Sequence, residues 1–216
     1  MEPQAPRQPD LDCPLCPRLA AFRAANRTAF PDFHNAPVAS FGPTDAPLLV
    51  VGLAPGLRGA NRTGRPFTGD FAGDLLYGTL TKYGLATGVF DARPDDGLTL
   101  TRCRITNAVR CVPPENKPVA AEVTACRGFL AGELAAMVAL EGVVALGGIA
   151  HKAVLAALGL KQSVLPFAHG AIHALPDGRF LADSYHCSRY NTNTGRLTPA
   201  MFEAVFAEVS RRIATT

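Results

Sequence analysis

No stretch of 18 consecutive apolar residues occurs in the 216-residue chain, so no segment reads as a membrane-spanning helix. The first twelve residues, MEPQAPRQPDLD, have neither the basic start nor the apolar middle of a secretory signal. A cytoplasmic protein is therefore expected. There is no Gly-Lys-Ser/Thr phosphate loop and no Gly-x-Gly-x-x-Gly fingerprint, which disfavours nucleotide hydrolysis and dinucleotide binding. Internal repeats and low-complexity linkers are also absent. Charge is sparse, at 18% of residues against 48% apolar, which is too apolar for a disordered chain. The length fits one domain spanning 1–216, with residues 1–12 as a flexible tail.

The weak net charge of +3 hides a pattern. Residues 56–69 carry Arg58, Arg62 and Arg65 with no acid. Residues 102–117 carry Arg102, Arg104, Arg110 and Lys117 against Glu115, and residues 186–198 add Arg189 and Arg196. Three basic segments meeting in space would suit a phosphate backbone; left apart, they would be solvated arginines.

Leu48–Leu53 is a continuous apolar run, typical of a strand buried on both faces. Further strands are expected at 105–110, 143–146 and 180–185. Helices are expected near 18–28, 71–84, 119–140, 149–158 and from 199 onward, with a loop holding His169 and His173 that can form a hairpin. Asp70 is placed to cap the second helix, and Thr198-Pro199 opens the last. Alternating strands and helices predict an α/β fold with a mainly parallel, four-stranded sheet. Ligands of such sheets sit at the carboxyl ends of the strands, which selects 54–70, 107–117 and 186–196, the segments that hold the basic residues.

Cys13 and Cys16 form a Cys-x2-Cys pair, and Cys111 and Cys126 a second pair 15 positions apart. Four thiolates can hold a cubane iron–sulfur cluster or a zinc ion. Spacing does not separate the two. Cys103 and Cys187 fall outside the pairs and are read as non-ligands. In the loop after the first strand, glycines allow backbone to approach a ligand. Phe67 is either a stacking surface there or an anchor into the core.

The segments Gly52-Leu-Ala-Pro-Gly56, Asn61-Arg-Thr-Gly-Arg-Pro-Phe-Thr-Gly-Asp70, Ile105-Thr-Asn-Ala-Val-Arg-Cys-Val-Pro-Pro114 and His186-Cys-Ser-Arg-Tyr-Asn-Thr-Asn-Thr-Gly-Arg-Leu-Thr198 closely resemble the uracil-DNA glycosylase superfamily. The nearest likeness is to its family 5, the UDGb type with an iron–sulfur cluster, and it runs from Cys13 to the C-terminal helix. The resemblance implies a three-layer α/β/α fold and a structural 4Fe–4S cluster on Cys13, Cys16, Cys111 and Cys126. It implies a monomer acting on DNA that contains uracil or other deaminated bases such as hypoxanthine and xanthine.

It also implies roles. Phe67 matches the residue that stacks on the flipped base, with Gly52 and Ala54 beside it and Asn107 reading the base edge. His186 matches the histidine that stabilises charge on the departing base. Family 5 lacks the polar residue other families carry near position 53, and here the segment reads Leu53-Ala54-Pro55. Asp70 is then the candidate to position water or steady the sugar cation, unless it only caps its helix; Asp74 is a weaker substitute. Arg58, Arg62, Arg65, Ser188, Arg189, Tyr190 and Arg196 are candidate DNA contacts, with Tyr190 as the wedge. No lysine takes a motif position, which implies hydrolysis by water. The rival reading is a metal-containing nucleic-acid-binding module without turnover.

Overall fold

The computed structural model describes residues 6–213; residues 1–5 of the expected tail lie outside them. In chain order the elements are α1 (Pro17–Ala29), β1 (Leu48–Gly52), α2 (Ala60–Thr63), α3 (Phe71–Lys82), β2 (Ala86–Thr87), β3 (Thr99–Leu100), β4 (Cys103–Asn107), α4 (Ala120–Ala136), β5 (Gly142–Leu146), α5 (Gly148–Ala157), β6 (Ile172–Ala174), β7 (Phe180–Ser184), α6 (Arg189–Asn193) and α7 (Pro199–Ile213).

The main sheet has the order β4-β1-β5-β7-β6. Its first four strands run parallel and are those expected from the sequence. The fifth, β6, is a correction to the four-stranded expectation. It pairs antiparallel with β7, His173 opposite Leu181, so the loop between His169 and Phe180 folds back as an edge hairpin. Periodicity could not find it, because three residues carry too little pattern. The strand expected at 105–110 starts earlier and ends at Asn107, although Ala108 and Val109 still donate to the carbonyls of Gly52 and Leu53.

Alternate side chains face opposite sides of a strand, and the two faces build two cores. Leu48, Val50, Ile105, Val144 and Ala182 pack against α3 and α7, where Leu76, Leu80, Phe202 and Phe206 are fully buried. Leu49, Val51, Val143, Ala145 and Leu181 pack against α4 and α5 through Leu130, Leu134 and Val154. The result is an α/β/α sandwich. Helix α1 lies outside it, with Leu19 against Val109 and Cys111.

Three crossovers join the four parallel strands. The chain moves from β1 outward to β4, then jumps back past β1 to β5. The strand order reverses between β1 and β5, and a crevice opens at the carboxyl ends of strands that diverge in this way.

Candidate active site

That crevice is occupied by a cleft of about 690 Å³. Leu53 and Ala54 follow β1 into it, Leu146 ends β5 and Gly147 follows, and His186 lies just past β7. A smaller recess of about 30 Å³ shares Ala54, Gly56, Asp70, Ala72 and His186 with the cleft, and adds Phe67 and Asn107. Asp70, His186, Asn107, Phe67 and Ala54 thus come together from four chain segments.

Asn107 is the last residue of β4 and only 3% exposed. It stands opposite Gly52 at the end of the β1–β4 ladder. A β-carbon on Gly52 would lie 2.4 Å from Asn107 Oδ1 and 2.6 Å from Phe67 Cζ. The glycine is there because the amide and the ring fill the space a side chain needs. Phe67 adopts φ +52°, which costs a bulky residue about 1–3 kcal/mol. Its neighbours hold it there: Tyr77 donates to Pro66 O at 2.6 Å, and Thr63 Oγ1 donates to Thr68 O at 2.9 Å.

Arg65 belongs to the same framework, and its assignment to DNA is corrected here. Its guanidinium is buried, forks onto Asp96 at 2.7 and 2.8 Å, and lies among the rings of Phe41, Tyr77 and Phe90. It is unavailable to a phosphate and instead fixes the turn that carries Phe67.

Asp70 holds the N-cap position of α3 with extended backbone, and its carboxylate approaches the Ala72 and Gly73 amides without closing a well-formed capping hydrogen bond. Burial raises its pKa above the ordinary aspartate value, against the pull of the Ala72 and Gly73 amides. Oδ1 is buried without a partner. A β-carbon on Gly59 would fall 2.2 Å from Oδ2, so the Gly-rich loop closes directly over the carboxylate. Asp74 is exposed one turn on and lines neither cavity.

His186 is desolvated, which pushes its pKa down to about 4 and keeps the ring neutral. Nδ1 is buried without a partner. The ring is near-parallel to Phe67, 27° between planes and 5.8 Å between centroids. Asn191 Nδ2 donates to the His186 carbonyl at 2.8 Å, and Ser188 Oγ accepts from Asn191 N as the cap of α6.

The remaining candidates spread along the rim. Arg58, Ser188 and Arg189 line the cleft, and the Arg189 guanidinium lies 5.5 Å from the centre of the Phe71 ring. Tyr190 is 72% exposed just outside. Arg62 is exposed with Nε on Arg58 O, and Arg196 lies 4.6 Å over Tyr185; neither lines the cleft. Asn116, Phe71 and the turn Gly147-Gly148-Ile149 line it unforeseen. The Gly-Gly pair after a buried strand was the available signal.

Cys13, Cys16, Cys111 and Cys126 surround one small void with Leu19, Arg23 and Phe129. Burial, reinforced by their mutual repulsion, raises Cys16 to about 11 and Cys111 to about 12, and raises Cys126. Thiols crowded in this way suit a positive centre that takes them as thiolates. Arg23 also reaches Cys111 Sγ at 3.7 Å. Among the described residues, no three of these sulfurs lie within 4.8 Å of one another. A single zinc ion, with Zn–S of about 2.3 Å, needs sulfurs about 3.8 Å apart, so the set is wide for one ion. The described group that is that tight is His151, His173 and Asp183. There the two carboxylate oxygens each hydrogen-bond one imidazole, at 2.7 and 3.0 Å.

An α/β sandwich whose switch-point recess combines an aromatic floor, an amide and two unpartnered buried polar groups is a site for a flat polar ring. Residues 39–210 match the family model described as the Uracil DNA glycosylase superfamily, and the chain belongs to that superfamily, in its type-5 branch. A type-5 uracil-DNA glycosylase of Thermus thermophilus is 47% identical over 92% of this chain and 93% of its own length. Type-5 enzymes of Mycobacterium bovis and Pyrobaculum aerophilum are each 41% identical, over 92% and 94% of this chain and 77% and 88% of their own lengths. No helix of the described residues is long and apolar enough to cross a membrane.

Proposed function

We propose that the protein removes uracil from DNA by hydrolysing the N-glycosidic bond, leaving an abasic site. The observation that carries this reading is the pair of buried, partnerless polar atoms in one recess, Asp70 Oδ1 and His186 Nδ1. A buried polar group left unpaired costs about 1–3 kcal/mol, and a ligand entering the recess recovers it.

A uracil swung out of the stack slides over Phe67, and the Asn107 amide offers one donor and one acceptor to its edge. The C1′–N bond breaks with its electron pair leaving on the base, and the sugar turns cationic. His186, neutral, donates its ring N–H to the base oxygen where negative charge grows. The Asp70 carboxylate faces the sugar, steadies the cation and orients the water whose oxygen bonds to C1′. The proton released by that water balances the one the departing base takes up.

Hypoxanthine and xanthine are proposed as further substrates, because the recess opens through Ala54 and Gly56 into the larger cleft. Arg58 and Arg189 on the rim are proposed phosphate contacts, with Tyr190 as the wedge. Cys13, Cys16, Cys111 and Cys126 are proposed to hold a 4Fe–4S cluster, favoured over zinc by the sulfur spacing. When bound, the cluster supplies a cross-link and no redox step. Cys13 and Cys16 thereby tie the start of the chain to the end of β4 and to α4. Iron and sulfide analysis of the protein, with zinc measured alongside, tests the assignment.

The activity test is incubation with duplexes holding uracil, hypoxanthine or xanthine, followed by alkaline cleavage of abasic sites. Strand scission at uracil that falls in Asp70→Asn and His186→Ala supports the reading. Tight DNA binding without scission, by folded metal-loaded protein, replaces it with a binding module.

A further inference from the structure

A second groove, of about 290 Å³, runs between α4 and α5 on the far side of Ile149. Ile149 is 45% exposed and lines both this groove and the cleft, so the two depressions adjoin across its side chain. The groove has an apolar floor, Val123 and Ala153 among it, and two cations on its walls, Arg127 from α4 and Lys152 from α5. No acidic residue lines it. Both cations are exposed. Arg127 has only a long 3.4 Å contact to Thr124 Oγ1, and neither cation has an acidic partner among the described residues. Elsewhere on the surface the arginines are commonly paired, as Arg18 with Glu122 and Arg179 with Asp177. Two unpaired cations beside an acid-free groove leading out of a cleft form a track for a polyanion.

We infer that this groove carries the phosphodiester backbone of the DNA strand as it leaves the cleft, with Arg127 and Lys152 neutralising its phosphates. The inference rests on the DNA reading above and extends it to a surface that reading does not use. The dimensions agree. The groove follows α4 from Ala120 to Arg127 and α5 from Ile149 to Ala156, about 10 Å along each helix. At one charge per about 3.4 Å of helix axis for each strand, that length is enough for the two cations to meet separate phosphates. The strand therefore meets the two cations beyond the flipped nucleotide, on one side of it only.

Arg127→Gln and Lys152→Gln keep good helix formers on exposed positions, so both variants fold. Binding is measured to an undamaged duplex and excision to a uracil duplex, each across a salt series. Each lost phosphate contact lowers the log–log salt slope by about 0.9, which is about eightfold in affinity at 0.1 M salt relative to 1 M. The double variant should bind both duplexes more weakly with a slope reduced by about 2, while its single-turnover rate at saturating substrate matches the parent. The difference should vanish on substrates cut to one nucleotide beyond the uracil on one side, and persist when the other side is cut. An unchanged slope overturns the inference, as does an equal loss on every substrate length, which would mark a structural role. Excision failing in the parent protein would sink the glycosylase reading instead, and the undamaged-duplex arm would still decide the groove.

Discussion

Two buried polar regions of this molecule treat their charges in opposite ways. On the α4 side of the sheet, Glu133 is fully buried and accepts from four side chains. Arg104 Nε lies at 2.7 Å, Gln8 Nε2 at 2.6 Å and Arg110 at 3.1 Å, and Ser40 completes the set. Burial alone would raise its pKa, yet these donors hold it down at about 2. In the recess, Asp70 has no side-chain donor and only the pull of the Ala72 and Gly73 amides, and burial wins. One carboxylate is finished by the fold; the other is left for something to complete. Saturated clusters maintain structure, and an orphaned pair at a switch point marks where a ligand supplies the missing partners.

The contrast breaks most visibly at Glu133. Removing one partner from a buried charge cluster costs about 3–5 kcal/mol, so Glu133→Ala should unfold at much lower denaturant. The fraction that folds should still excise uracil at the parental rate per active site. A variant that stays stable but loses turnover would reverse the assignment of the two regions.

Asp70→Asn is the mirror experiment. Excision should fall by about 10²–10⁴-fold, the range of a positioned acid–base group, and stability at neutral pH should hold or rise. The sign follows from the raised pKa: the ionised carboxylate is worse off folded than unfolded, and the neutral amide escapes that cost. His186→Ala should lose about 3 kcal/mol of transition-state stabilisation. The pH profile sharpens both. Wild-type excision should decline on acidification through a pKa above the usual aspartate value of about 3.9. Between pH 5 and 8 no limb should come from His186, already neutral above about 4. An acid limb that survives in Asp70→Asn would assign the titrating group elsewhere.

The same contrast explains what sequence reading reached. Apolar runs mark β1 and β5, the central strands, which are buried on both faces and leave no polar alternation to misread; β4 and β7 carry polar residues and are legible through their place between helices and turn signals. The residues of the recess are legible through motifs: Asn107 closes a strand, Ala54 and His186 follow one closely, and Phe67 and Asp70 end the Gly-rich loop before α3. Arg65 was misread as a phosphate ligand. In sequence it resembles Arg58 and Arg62, and its partner Asp96 lies in a distant loop that only the fold brings near. Gln8 was assigned to a flexible tail, yet it reaches into the Glu133 cluster. Asp70 carried two readings, cap and catalyst, and only side-chain geometry shows that no well-formed capping bond closes. The α4–α5 groove left no sequence signal, since two cations 25 positions apart become neighbours only through helix packing.

The smallest expected effect concerns a third buried carboxylate, intermediate between the other two. Asp183 takes His151 Nδ1 on one oxygen at 2.7 Å, and His173 and the Ala168 amide on the other. His151 Nε2 meets a second acceptor, the Leu165 carbonyl, at 2.8 Å. A ring with an acceptor at each nitrogen satisfies both only when doubly protonated. Burial works against that charge, and the Asp183 hydrogen bond and charge, with the Leu165 carbonyl, outweigh it, so the pKa is raised above 6.5. The stabilisation is then complete below pH 6.5 and is lost as pH rises through the folded value. The loop from Leu165 to Ala168 is what this imidazolium ties to β7. Its amides should exchange faster, relative to those of β1, at pH 8.5 than at pH 6. His151→Gln should abolish that pH dependence while leaving excision of uracil intact. If the dependence persists in the variant, the His151 imidazolium is not the tie between this loop and β7.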